Sequence, residues 1–274
     1  MPSELGSSRS DPAPCAATDG TSAAQVGLRT ALWCAAQGWP VHQLAPGRKT
    51  PAARCRRCQQ RRHRLSDCPC IAAGRWCHGL HAATTDVIRI RNWWTAQPRF
   101  GVGVVCGPAG LIVIDVDAHA AALPARDRLL PGVSVPESVS LAGLRQGFHS
   151  LALLAALHGA KGPAADSTTL RVRTPSGGLH IWYATTPELG RRSSSGSGLR
   201  QTLAWQVDVR AHGSYLFAPG TKTAARADRA ARRPAALPMW LAAQLTRTGH
   251  RLSTAPPRQA SVPWRGRQVV GDPP

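Results

Sequence analysis

Short apolar runs separated by long polar stretches rich in Pro and Gly set the expected elements of this chain. Ala23 to Gln37 has apolar positions at Val26, Leu28, Leu32 and Trp33 and stops at Gly38, which predicts a helix. Trp39 to Leu44 predicts a strand, closed by the turn Pro46-Gly47. Thr84-Thr85-Asp86 caps a second helix over Val87 to Thr95, with Ile88, Trp93 and Trp94 assigned to its apolar face. A strand begins at Gly101. Leu111-Ile112-Val113-Ile114, bounded by Gly110 and rich in β-branched residues, reads as a buried strand. Further on, the pattern predicts a helix over Gly147 to His158 and strands over Leu170 to Arg173 and Leu179 to Tyr183. Strands over Ala204 to Val209 and Gly213 to Ala218 follow, then a last helix over Pro238 to Leu245.

Between these runs lie segments that cannot build a core alone. Residues 1–21 are Ser, Pro, Ala and Gly with scattered charge, and residues 246–274 are basic and Pro-rich; both are expected to be disordered tails around a domain spanning 22–245. Residues 118–167 read as a Pro-punctuated insertion, and residues 191–200 as a mobile basic loop. Residues 54–81 lack apolar periodicity but contain Cys55-x-x-Cys58, Cys68-x-Cys70 and Cys77-His78, with His63 and His81 nearby. A coreless segment needs another source of order, and a structural Zn²⁺ with four Cys or His ligands supplies it. The ligands are expected among Cys55, Cys58, Cys68, Cys70, Cys77 and His78, with more candidates than places. Cys15, Cys34 and Cys106 stand apart.

Composition sharpens this picture in two ways. The chain has 274 residues and a net charge of +20, carried almost wholly by arginine, since Lys49, Lys161 and Lys222 are the only lysines. An excess that large suggests a polyanionic partner, nucleic acid above all. No run approaches the ~20 apolar residues needed to cross a membrane, and the N-terminus lacks the order of a signal peptide. The expected location is therefore the cytoplasm, where eight cysteines argue for metal rather than disulfides.

With so few acids, those on apolar strands stand out. Asp115 and Asp117 end the Leu111 strand two residues apart, so they project from one side of it. Like charges so close call for a cation between them, and a hard one such as Mg²⁺ suits oxygen ligands. Asp208, between Val207 and Val209, is costly there unless it is paired or metal-bound. His180 follows the turn Thr174-Pro175-Ser176-Gly177-Gly178, where glycines let a ligand approach the backbone and an imidazole can meet phosphate. Arg48-Lys49-Thr50-Pro51 offers a second basic loop.

Taken in order, Ile112-Val113-Ile114-Asp115-Val116-Asp117, Thr174-Pro175-Ser176-Gly177-Gly178-Leu179-His180, and Val207-Asp208-Val209-Arg210 with Gly213-Ser214-Tyr215-Leu216-Phe217-Ala218-Pro219 resemble the bifunctional primase–polymerase (Prim-Pol) domain of the archaeo-eukaryotic primase superfamily, in its actinobacterial form. The resemblance covers about Ala23 to Thr221. It implies an α+β fold with an RRM-like antiparallel sheet, a smaller αβ unit and, here, a zinc-binding insertion. It also implies template-directed nucleotidyl transfer from NTPs or dNTPs onto a DNA template and primer with Mg²⁺ or Mn²⁺. Asp115, Asp117 and Asp208 match the family's metal-binding acids, and His180 its triphosphate-contacting histidine. Lys49, Ser176, Gly177, Gly178 and Arg210 are the expected substrate-binding residues. Ser214 stands where the family often has a second glycine. No P-loop follows the core, so a separate helicase is a possible partner. Two other readings use the same residues: a non-catalytic zinc-stapled nucleic-acid binder, and a metal-dependent nuclease.

Overall fold

Two antiparallel sheets are built from the short apolar runs. The computed structural model describes residues 23–60, 63–186, 190–194, 201–219 and 233–251; the tail over residues 1–21 and most of that over 246–274 lie outside them. A small sheet joins β1 (Val41–Leu44), β2 (Gly101–Val105) and β7 (Tyr215–Phe217) in the order β1-β2-β7. A larger sheet joins β4 (Leu170–Arg173), β5 (Leu179–Ala184), β3 (Leu111–Val116) and β6 (Val207–Arg210) in that order, all antiparallel. The short β8 (Ala235–Ala236) runs parallel to the end of β5 beyond β4.

The large sheet is buried on both faces, which is why β3 reads as a continuous apolar run rather than an alternation. One face carries Leu111, Val113, Val172 and Trp182. It packs on the small sheet through Val41, Val102, Val104 and Leu216, and on α1 (Ala23–Ala36) and α4 (Val87–Ala96). The other face carries Ile112, Ile114, Ile181, Val207 and Val209. It packs on α6 (Gly147–Leu157) and α7 (Met239–Arg247) through Leu151, Leu154, Leu241 and Leu245. The short helix α5 (Arg126–Leu129) adds Leu129 to that second core. The segment 118–167 thus supplies one wall of the sheet's packing.

Several expectations are corrected. Ile88 is 71% exposed, and Ile90 joins Trp93 and Trp94 on the buried stripe. The cap fixes this: Asp86 Oδ1 accepts from the backbone N–H of Ile88 and Arg89, which phases the helix so that the 90, 93, 94 positions face inward. Trp93 and Trp94 lie in the core as expected. The strand expected from Ala204 starts at Val207, because Ala204 to Gln206 make a tight turn with Gln206 in the left-handed region (φ 59°). The last helix continues to Arg247, and His250 beyond it is fully buried, so ordered structure extends past Leu245. In the expected basic loop, Arg191 and Arg192 bridge to Arg251 and His212 and Arg191 is buried, while residues 195–200 lie outside the described residues.

Candidate active site and cysteine cluster

Strand register assembles the acidic group. Asp115 on β3 pairs with His180 on β5 to one side and with Asp208 on β6 to the other. Residues directly opposite in an antiparallel sheet share a face, so these three side chains, and Arg210 two residues beyond Asp208, project together. That face is the one packed on the small sheet, and the group sits beyond the apolar contacts of Val113 and Trp182. Asp115 and Asp208 are partly buried and His180 is buried, whereas Asp117, just past the strand end, is exposed.

A cation already lies among these acids. Arg210 Nη2 is 3.0 Å from Asp115 Oδ2 and 3.3 Å from Asp208 Oδ2, and Arg210 Nε donates to Asp115 at 3.1 Å. His180 Nε2 lies 3.3 Å from the other Asp115 oxygen, and its buried Nδ1 has no partner among the described residues. Burial works against charge on Asp115, but His180 and Arg210 outweigh it and hold the carboxyl below its ordinary range. Asp117 shifts the opposite way: partial desolvation and then the charges of Asp115 and Asp208 raise it. A set of three carboxylates with no soft donor, one of them destabilised by the others, suits a hard divalent cation.

The backbone around Asp117 is held by residues that the sequence pattern did not reveal. Asp117 N–H donates to the Gln206 carbonyl at 3.0 Å, and Gly147 N–H donates to the Asp117 carbonyl at 3.0 Å. The Gln206 side-chain oxygen also accepts from Gly147 at 3.1 Å. A Cβ on Gly147 would collide with the Gln206 carbonyl and lie 2.8 Å from that of Asp117. The turn before β5 closes against the same strand end. Thr174 and Gly178 pair across it, Gly177 has φ +87°, and a Cβ on Gly178 would lie 2.5 Å from the Val116 carbonyl. Ser176 Oγ sits 3.0 Å from Thr174 Oγ1. Lys49 lies in the turn after β1, its backbone carbonyl accepting from the Tyr215 hydroxyl and its Nζ 5.7 Å from the Phe217 ring. No hydrogen bond or ion pair among the described residues joins Lys49 to the acids.

Among the described residues, the cysteine-rich segment's core is a cluster of Cys58, Cys68, Cys70 and Cys77 with Cys55 and Ile71 packed against it. Cys55 and Cys58 flank the start of α2 (Arg56–Gln60), while Cys68 and Cys70 open α3 (Pro69–Ala72). Cys55, Cys58, Cys70 and Cys77 bring their sulfurs within 4.8 Å of one another, a set compatible with zinc. Cys58, His63, Cys68 and His78 meet the same limit, so His63, named at first only as a neighbour, joins the donors. Its signal was its position midway between Cys58 and Cys68. Crowding divides the thiols: the Cys58 backbone N–H and the Cys70 side chain pull Cys55 down to about 6, and burial pushes Cys58 up. Trp93 ties the segment to the body by donating its indole N–H to the Gly74 carbonyl at 2.8 Å.

The body is mixed α/β with antiparallel sheets, an acid cluster set across three adjacent strands and a separate thiol cluster compatible with a metal ion. Residues 31–240 match the family model described as bifunctional DNA primase/polymerase, N-terminal, and the chain belongs to this Prim-Pol family. The family is one of nucleotidyltransferase-type enzymes that use divalent metals and act on nucleic acid and nucleotides. No curated protein matches the chain significantly. Among the described residues, no helix is long and apolar enough to cross a membrane.

Proposed function

We propose that the chain is a template-directed nucleotidyltransferase, a DNA primase/polymerase that joins NTPs or dNTPs to a primer on a DNA template, with an RRM-like large sheet carrying the active site. The observation that carries this reading is the alignment of His180, Asp115 and Asp208 across three adjacent strands, with Asp117 at the strand end. In it, Asp115, Asp117 and Asp208 hold Mg²⁺ or Mn²⁺. When bound, such ions lower the pKa of a primer 3′-hydroxyl and neutralise charge on the leaving pyrophosphate.

The chain's own groups do the rest. His180 and Arg210 supply positive charge toward the triphosphate. Arg210 bridges Asp115 and Asp208, and a divalent ion held by those carboxylates would free its guanidinium to meet phosphate. The Ser176-Gly177-Gly178 turn lets a nucleotide approach the backbone beside the acids. Lys49, in the turn after β1 against Phe217, serves as a further phosphate contact. DNA follows the arginine-rich surface of a chain with +20 net charge. A helicase on a separate chain is a compatible partner, and the cytoplasm the expected setting.

Incubating the protein with labelled dNTPs or NTPs, a primed template and Mn²⁺ or Mg²⁺ tests this. Extension of the primer is expected. Cleavage of the strand would make it a nuclease, and retention without chemistry a binding module; either overturns the proposal.

A further inference from the structure

We propose that the cysteine-rich segment holds two zinc ions that share the Cys58 thiolate, with Cys55, Cys70 and Cys77 completing one site and His63, Cys68 and His78 the other. The two donor sets each gather within 4.8 Å, and Cys58 is the one residue common to both. Thiolate ligands of one tetrahedral zinc, with bonds of about 2.3 Å, lie roughly 3.8 Å apart. Cys55 Sγ is 3.4 Å from Cys70 Sγ, and Cys58 Sγ is 3.6 Å from Cys70 Sγ and 3.8 Å from Cys68 Sγ. Cys58 thus stands at that spacing from a sulfur of each set. A thiolate sulfur has lone pairs enough to ligate two ions.

The second site answers facts that one ion leaves without a cause. His78 is buried, and neither ring nitrogen has a hydrogen-bond partner among the described residues. Such a ring is costly to bury unless something binds it. His78 also holds a left-handed backbone (φ 75°), rare for a residue with a Cβ. His63 faces it edge-on, with ring centroids 5.3 Å apart. Cys68 is 1% exposed and lies outside the four-cysteine set. Charge also favours two ions. Five thiolates and two neutral imidazoles around two dications leave a net charge of −1, which the surrounding arginines offset. A single ion would leave Cys68 and two imidazoles beside an already filled site.

The proposal is independent of the polymerase reading and is tested on the full chain without nucleotide. Zinc per chain is measured by plasma mass spectrometry after dialysis into buffer free of added metal, and ¹¹³Cd-exchanged protein is examined by NMR. About two zinc per chain and two cadmium resonances, one from an all-sulfur site and one from a mixed nitrogen–sulfur site, are expected. Cys68→Ser and His78→Ala should each drop the count to about one and remove the mixed-donor resonance alone, while Cys77→Ser should remove the all-sulfur one. One zinc in wild type, or a count and spectrum unchanged by both Cys68→Ser and His78→Ala, overturns the shared site. Because those two variants leave the four-cysteine set intact, a loss of all metal from both would overturn it as well.

Discussion

The acid cluster and the cysteine cluster are both groups of ionisable side chains crowded within a few ångströms, but they are assembled by opposite means. Asp115, His180 and Asp208 are brought together by strand register in a sheet buried on both faces, and Arg210 already neutralises two of the acids. Cys55, Cys58, Cys68, Cys70 and Cys77 ride on one-turn helices and loops, and among the described residues their shared core is their own sulfurs and Ile71. If the acids hold a divalent ion as proposed, the sheet is expected to keep its shape without it, whereas the thiol segment is expected to lose its order without metal. A site placed on a rigid scaffold can release and rebind its ions during a reaction, whereas a site that is its own scaffold has to keep them.

The largest effect expected from breaking this contrast is on chemistry. Asp117→Ala should reduce primer extension roughly 10³-fold or more. Its melting temperature in metal-free buffer should stay level or rise slightly, because an exposed carboxylate raised by Asp115 and Asp208 is then relieved of repulsion. Asp115→Ala should abolish extension too, yet melt lower, since Arg210 and His180 lose their common partner. Primer extension paired with metal-free melting curves measures both. Equal melting shifts for the two variants would show that Arg210 and His180 do not anchor Asp115.

Next comes withdrawal of zinc. Stripping the protein with a strong chelator should open residues 54–81 to proteolysis while the sheets keep their circular dichroism. Protection should return with zinc, not with Mg²⁺. A sheet that melts together with the segment would mean that the two regions share one scaffold.

How well each region could be foreseen in the sequence follows the same divide. The apolar run of β3 and the Val-Asp-Val of β6 announced the acids, because period-two geometry turns sequence spacing directly into side-chain direction. The role of Arg210 between Asp115 and Asp208 was not visible, since it depends on which strand lies beside which. Gly147 and Gln206 were hidden for the same reason: each meets Asp117 across a long stretch of chain. Ile88 misled because the helix phase is set by the Asp86 cap and only the Ile90 stripe fits it. The paired cysteines declared a metal segment, but spacing alone could not sort seven donors into sets, as loops without periodicity carry no directional information.

A smaller effect separates backbone support from charge. Gly147→Ala forces a Cβ into the Gln206 and Asp117 carbonyls and should cost about 2 kcal/mol of stability. Extension should fall with it even though every carboxylate remains. Urea melts together with extension rates measured well below the midpoint check this. Full activity in a destabilised variant would mean that the Asp117 backbone tolerates displacement.

The last expected effect appears only as the pH falls and concerns the sheet side of the comparison alone. His250 is fully buried beyond α7, and burial pulls its pKa from the ordinary 6.5 to about 4. Its neutral ring can donate through Nε2 to the Gln201 carbonyl at 3.2 Å and accept at Nδ1 from the Thr248 hydroxyl at 2.7 Å. As pH falls below about 6.5 the unfolded chain takes up a proton here that the folded chain refuses until about 4. The stability from this residue is therefore complete above 6.5 and drains away between 6.5 and 4, by up to about 1.4 kcal/mol per pH unit. Acid would also protonate the thiolates of the proposed zinc sites, so wild type alone would mix two losses. His250→Gln removes the titrating ring and leaves the cysteines untouched. The difference between the two unfolding free energies, followed from pH 7 to pH 4.5, isolates the histidine. It should shrink steadily with falling pH, and a difference that stays constant would mean that the folded chain takes up this proton as readily as the unfolded one, so that burial does not lower the His250 pKa.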